Sequence, residues 1–341
     1  MLRVLHITVR ADHSGGPRHV YDLIKGMRHE AEAFVACPPE RPFRERFAEL
    51  LGAERVFPIP HRQVSMSALM RLRGLIRQAG IEIVHSHGRG AGFYSRPLAG
   101  LTGVKCVHTF HYLNPSSRLR AIEERVMAWG ANAVVAVSRS EAEYVRRARV
   151  VGGDKLHLIL NGVEVSESVP ASLPVRKIVG IMRLELDKSP AIFAEVCRSL
   201  SGSGLSFRVV GSGSLLQRLR ASDPEIFAGA VDEPRQYLTP DSVYLATSQG
   251  EGLSLAMLDA MACGIPVVAS NVPGNADLIR DGENGLLYPW GDAKLAAELI
   301  LRIMGDDDLR RRLSAGAWRS VSQDYRVEAM VEQVLALYRR I

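Results

Sequence analysis

The sequence predicts an α/β protein made of two doubly wound units in series, each a parallel sheet with helices on both faces. Three observations predict it. Short β-branched runs alternate with amphipathic stretches from the first residues onward. The alternation stops at 164–175, a stretch with two prolines, three serines and no periodicity, and then restarts. The length, 341 residues of which 47% are hydrophobic, exceeds one typical core and favours two domains of roughly 160 residues.

In the first series the strands read as 4–8, 33–37, 81–87, 105–111, 133–138 and 157–161. Val20, Leu23, Ile24 and Met27 recur at helical spacing over 18–27, and Leu69, Leu72, Leu75 and Ile76 over 67–78. Over 118–129, Leu119, Ile122, Val126 and Trp129 form one stripe with Arg118, Arg120 and Arg125 beside it. In the second series the strands read as 177–184, 207–211, 242–247 and 265–270. The expected domains are therefore 1–165 and 166–341, with the last helix, about 322–341, packing back on the first domain. The run at 306–312, three aspartates and then three arginines after a leucine, reads as acids at a helix start with bases a turn later.

Composition excludes several classes. No window reaches ~18 uncharged apolar residues, so no spanning helix is expected. His6 and Arg10 break the first apolar run, so it reads as a strand and not a signal peptide. Cys37, Cys106, Cys197 and Cys263 are far apart in apolar surroundings, which fits reduced thiols and a cytoplasmic location. Net charge is +6, divided unevenly: 24 basic against 15 acidic residues through Val165, then 19 against 22. The basic half suits an anionic partner; basic residues scattered over solvated faces are the plainer alternative. Basic and aromatic residues do not interleave, so nucleic acid is not expected.

In open α/β sheets ligands bind beyond the carboxyl ends of the strands, and two such sheets face to face would form a deep cleft. Gly15 and Gly16 follow the first strand and leave bare N–H groups at a helix start, where an anion is favoured, or simply make a tight turn. Arg183 and Lys188 lie between a strand end and the helix start at Ser189-Pro190, where two cations can converge on a pyrophosphate; surface pairs with Glu185 and Asp187 are the alternative. Gly211 and Gly213 permit close backbone approach, to a planar base or in an ordinary turn.

The stretch EGLSLAMLDAMACGIPVVAS, residues 251–270, carries charge only at Glu251 and Asp259. It reads as a buried helix over 253–262 closed by Gly264, with Glu251 on the first turn. Carboxylates on so apolar a helix need partners or a polar cavity. Asp259 lies eight residues on, about 12 Å at ~1.5 Å per residue, near the span from a sugar to the ribose of a nucleotide diphosphate sugar. The N–H groups of Gly252, Leu253 and Ser254 would meet the phosphates between them. His85 and His87, with His108 and His111, could line a cleft or pack. No carboxylate or cysteine stands near to complete a metal site, so none is expected.

Together these residues resemble the retaining glycosyltransferases of family 4, which have the GT-B fold and an E-x7-E signature, here Glu251 to Asp259. Gly15-Gly16 is similar to that family's glycine loop, the segment IVHSHG at 83–88 to its V-H-x-H, and Thr109 to His111 to its T-x-H. Ala136 to Ser138, Asn161 to Val163, Arg183 with Lys188, Gly211 with Gly213, and 281–287 match further elements in order. The resemblance implies that Arg183 and Lys188 bind the donor diphosphate, Glu251 the sugar and Asp259 the ribose. It places Gly15 and Gly16 on the phosphate and acceptor side and His111 by the sugar or incoming hydroxyl. It implies a metal-independent hexosyltransferase with retained anomeric configuration, a UDP-sugar favoured over a GDP-sugar, and a glycan or lipid-linked acceptor in bacterial surface polysaccharide synthesis. Peripheral contact of the basic first domain with an anionic membrane, on the inner face of the cytoplasmic membrane, follows from the same resemblance. Asp259 stands where the family usually has glutamate, Ser189-Pro190 replaces a glycine, and Asp277 replaces a glutamate. A nucleotide-sugar 2-epimerase of the same architecture and a sugar-nucleotide binder without catalysis are the alternatives.

Overall fold

The computed structural model describes residues 1–111, 118–169 and 171–341, the side chains of 118–121 and 127 excepted. The chain divides into two compact units. One is Met1–Asn161 with Val327–Ile341, and the other is Gly162–Arg326.

The first unit alternates strand and helix: β1 (Leu2–Thr8), α1 (Gly15–Met27), β2 (Ala31–Cys37), α2 (Phe43–Leu51), β3 (Val56–Pro58), α3 (Met66–Ala79), β4 (Ile83–His87), α4 (Arg89–Thr102), β5 (Lys105–Phe110), α5 (Arg118–Ala128), β6 (Ala133–Ala136), α6 (Arg139–Arg147) and β7 (Leu156–Leu158). Its strands form one parallel sheet in the order β3-β2-β1-β4-β5-β6-β7. Helix ends follow local chemistry. Ser65 Oγ caps α3 by accepting from Ala68 N, and Gly80 closes it in the left-handed conformation. Ser138 Oγ accepts from Glu141 N at the start of α6, while Glu141 Oε2 accepts from Val137 N at 3.1 Å.

The apolar stripes of 67–78 and 118–129 fare differently. In α3, Leu69, Leu72 and Ile76 are buried with Leu5, Ile7 and Tyr94, an ordinary core face. In α5 it is Glu124 and Ala128 that are buried, whereas Ile122 and Val126 are exposed, and Trp129 just beyond the helix is 80% exposed. Tyr144 Oη donates to Glu124 Oε2 at 2.8 Å and draws that side inward. Arg125 donates to the Ala148 carbonyl at 3.1 Å. The side chains of Arg118, Leu119 and Arg120 lie outside the described residues.

The second unit repeats the plan: β8 (Lys177–Ile181), α7 (Pro190–Ser199), β9 (Ser206–Val210), α8 (Leu216–Ser222), β10 (Phe227–Gly229), β11 (Ser242–Ala246), α9 (Leu255–Ala262), β12 (Val267–Ser270), α10 (Pro273–Ala276), β13 (Leu286–Tyr288), α11 (Ala293–Gly305) and α12 (Asp307–Asp324). The sheet is parallel, in the order β10-β9-β8-β11-β12-β13, over a core that includes Ile178, Phe193, Val209, Val243 and Val268. Asp306 caps α12 by accepting from Leu309 N, and Arg310 and Arg311 pair with Asp307 and Asp308, as the charge order at 306–312 predicts.

The chain then returns to the first unit as α13 (Val327–Arg340), which starts later than 322 because 322–324 finish α12. Met330, Val331, Val334 and Leu335 are buried with Val4, Leu23 and Met27. A Cβ on Gly26 of α1 would lie 2.5 Å from Val331 Cγ2, so only glycine allows this approach. Tyr338 Oη bonds to the buried His85 Nδ1 at 2.5 Å. Tyr338→Phe leaves that nitrogen unpaired and should cost about 1–3 kcal/mol. A urea midpoint equal to that of the parent would show that this hydrogen bond contributes nothing.

Candidate active site

Strand order reverses between β8 and β11 in the second sheet and between β1 and β4 in the first, and the crevice at such a point is where open α/β sheets bind ligands. In the second unit the expected charged residues gather there. Arg183 follows β8 and its Nη2 bonds Asp187 Oδ2 at 3.1 Å. Lys188 Nζ lies 2.8 Å from Glu251 Oε1, 3.9 Å from Asp187 Oδ2, and donates to Gly250 O at 3.3 Å. Arg183 and Lys188 thus meet across Asp187, which combines the two expectations: the cations converge, and an acid already sits between them. Lys188 and Glu251 side chains are only 13% and 16% exposed, so each requires the other's charge.

Loop contacts fix this group. Thr247 Oγ1 donates to Lys188 O at 2.8 Å, Gln249 N to Asp187 O at 2.8 Å, and Ser248 Oγ to Glu251 Oε1 at 2.7 Å. The glycines act on the same segments. A Cβ on Gly211 would lie 1.8 Å from Met182 O, and one on Gly213 2.3 Å from Leu184 O. The backbone that approaches these two glycines closely is therefore the chain's own, flanking Arg183. Gly274 plays the same part for the other carboxylate: its Cβ would lie 2.4 Å from Glu251 O. Glu185 accepts from Ser214 N at 3.0 Å and from Ser214 Oγ at 2.6 Å.

Two expectations about the signature stretch need correction. The helix begins at Leu255, not 253, because Ser254 is its N-cap and accepts from Met257 N. Glu251, Gly252 and Leu253 lie on the loop before α9, so Glu251 is held by its ion pair and not by a helical turn. Ser189, unlike Ser254, makes no side-chain capping bond. It is left-handed at φ 50, accepts from Trp290 Nε1 at 3.1 Å, and stands where a glycine would meet no steric penalty. Asp259 is 2% exposed on α9, with Arg235 Nη1 3.8 Å from its Oδ1. Arg235 is a partner that its distance in sequence conceals.

In the first unit α1 starts at Gly15, and Gly16 faces His111, whose Cδ2 would be 4.0 Å from an added Cβ. Of the two histidine pairs suggested by sequence proximity, His85 and His87 do meet, with ring centroids 4.0 Å apart, whereas His108 and His111 do not pair. His108 turns away to Ser86 Oγ at 2.8 Å. His85, His87 and His111 are joined by His6 and His19. Ring centroids are 4.8 Å apart for His19 and His111, 5.5 Å for His19 and His87, and 5.8 Å for His87 and His111. Burial pushes the pKa of His6 down to about 3 and of His19 down to about 4, and lowers His85, His87, His108 and His111 well below the usual range. His19 was findable in the sequence from its place on the apolar side of α1; His6 was findable from its place inside a strand.

Residues 13–167 match the sequence model described as Glycosyltransferase Family 4, and 176–306 match that of Glycosyl transferases group 1. The chain belongs to glycosyltransferase family 4. This family 4 enzyme is 25% identical over 306 residues to the UDP-Gal:α-D-GlcNAc-diphosphoundecaprenol α-1,3-galactosyltransferase of Escherichia coli, covering 80% of this chain and 79% of that protein. It is 26% identical over 356 residues to the phosphatidyl-myo-inositol mannosyltransferase of Mycobacterium leprae, covering 96% and 93%. The crystal structure of Anabaena HepE in complex with UDP-glucose matches at a TM-score of 0.84 with 17% identity over 100% of both chains, which shows the GT-B fold. The named relatives are glycosyltransferases, which disfavours the epimerase alternative.

The buried histidines set an acid limit. Above about pH 6.5 they are neutral folded or unfolded and shift no balance. As pH falls through 6.5 the unfolded chain takes up protons first, and each histidine costs about 1.4 kcal/mol per pH unit until its folded pKa is reached. The calorimetric melting temperature should therefore drop between pH 7 and pH 5. A flat profile over that range would contradict neutral, buried imidazoles.

Proposed function

We propose that this glycosyltransferase moves a hexose-type sugar from UDP to a glycan or lipid-linked acceptor, in the assembly of a bacterial surface polysaccharide, with retained anomeric configuration and without a metal. The observation that carries the reading is the cluster Arg183, Asp187, Lys188 and Glu251 at the strand-order reversal of the second unit. A diphosphate would replace Asp187 as the partner of Arg183 and draw Lys188 from Glu251. Glu251 is then free to accept from sugar hydroxyls. Two cations on the leaving diphosphate stabilise the charge that develops as the glycosidic bond breaks. The acceptor hydroxyl attacks the anomeric carbon on the face the diphosphate leaves, and a donor phosphate oxygen takes its proton. Gly15, Gly16 and His111 would serve the acceptor side. Asp259, with Arg235 beside it, would hold the ribose, and the N–H groups of Gly252, Leu253 and Ser254 together with the Gly211 and Gly213 loop would line the nucleotide.

UDP-glucose in the complex with HepE, and the UDP-Gal donor and diphosphoundecaprenol acceptor named for the Escherichia coli relative, support the donor and acceptor classes. Among the described residues no helix is long and apolar enough to cross a membrane. A lipid-linked acceptor would then be met from the surface. Trp129, Ile122 and Val126 form an exposed apolar stripe on the more basic half of the chain, which suits insertion among anionic headgroups.

Lys188→Ala and Glu251→Ala should each reduce sugar transfer at least ~100-fold while circular dichroism stays unchanged. UDP should raise the melting temperature of the parent in EDTA, and more than GDP or ADP does. Full transfer by both variants would sink the site assignment. Sedimentation with vesicles containing phosphatidylglycerol should fall when Trp129 and Val126 are changed to serine; equal sedimentation would remove the stripe from the membrane contact.

A further inference from the structure

We propose that His19, His87 and His111 bind one transition-metal ion of the zinc class, and that the ion inhibits transfer. The binding stands on the first unit alone; the inhibition rests on the role given to His111 above.

The three side chains come from α1, the end of β4 and the residue after β5, and meet where the order of the first sheet reverses. Their candidate ligand atoms all lie within 4.8 Å of one another. Zinc bound at about 2.0–2.1 Å from each nitrogen wants them some 3.4 Å apart, so capture draws the rings inward by roughly 1 Å. His19 and His87 are 4% and 3% exposed. Each of the three presents a buried ring nitrogen without a hydrogen-bond partner: Nδ1 of His19, Nδ1 of His87 and Nε2 of His111. Such atoms carry an unmet cost that a metal would relieve.

The other nitrogen of His87 is already used, since Nε2 lies 3.1 Å from His6 Nδ1. An outer partner of this kind fixes which nitrogen faces the ion. A second trio, His6, His85 and His87, is equally compact. There both nitrogens of His85 are taken, Nδ1 by Tyr338 Oη and Nε2 by Thr109 Oγ1 at 2.7 Å. That trio is a hydrogen-bonded core and the first is the binding site. Three neutral imidazoles without a carboxylate suit zinc, copper or nickel and not magnesium or calcium, which take oxygen ligands. A three-histidine set leaves a position open for water or a hydroxyl. An ion held there removes His111 from the acceptor side.

The test is zinc uptake by the full-length protein in competition with a chromogenic chelator, with cobalt(II) absorption as a spectroscopic signature. One ion per chain is expected, with the intense visible bands of four-coordinate cobalt. His111→Gln and His19→Gln should each weaken uptake at least about 10-fold, and His29→Gln, at an exposed position, should not. His111 is the least buried of the three, so its variant keeps the test independent of the core; circular dichroism verifies both. No uptake by the folded parent, or equal uptake by both ligand variants, overturns the site. Zinc should also suppress transfer reversibly by chelator, without changing the UDP-induced thermal shift, and transfer by His19→Gln should resist zinc. Zinc bound with transfer unaffected overturns the inhibition. A protein that binds zinc but neither binds UDP nor transfers sugar would leave the metal site standing and bring down the transferase mechanism instead.

Discussion

The ion pair of Lys188 with Glu251 joins the loops that follow β8 and β11, and the other features of the second unit are arranged around it. Two largely buried charges persist only while each faces the other, so the loops must sit where the pair can form. The close approaches at Gly211, Gly213 and Gly274 serve that requirement. Each removes a side chain where backbone from one loop presses on backbone from another. The result is a charged centre held at the end of a parallel sheet.

Much of this was legible in the sequence. The alternation of strands and helices and the charge order at 306–312 depend on local periodicity and capping, which a single sequence carries. Arg183, Lys188, Glu251 and Asp259 were legible because polar residues stand out in apolar surroundings and at strand ends. The start of α9 was not, since Leu253 is as apolar as the helix and only the capping bond of Ser254 marks the true beginning. Arg235 was not, because its link to Asp259 crosses strand β11 and depends on tertiary packing. The stripe on α5 has helical spacing, but spacing cannot tell which side a helix buries. The side that carries Glu124 and Ala128 went inward, with Glu124 bonded to Tyr144.

The histidines illustrate the same limit from the other side. His85 and His87 share a strand face, as the two-residue period requires. His108 and His111 do not, and the structure separates them. His6 and His19 join because β1 and α1 pack beside β4, a relation set by sheet order. Buried imidazoles so close together remain uncharged, and their neutrality gives this region chemistry that scattered surface histidines lack.

The position of α13 has a consequence for how the chain is made. The first unit is interrupted: its core includes residues on both sides of the second unit in chain order. The bond between His85 and Tyr338 spans 253 positions. During synthesis the second unit, being continuous, can finish folding while the first still lacks a helix. Closing so long a loop carries an entropic cost and delays the last step. The unit whose strands emerge first from the ribosome is the last to be completed, and a chain stopped before residue 327 would leave the apolar faces of Val4, Leu23 and Met27 uncovered.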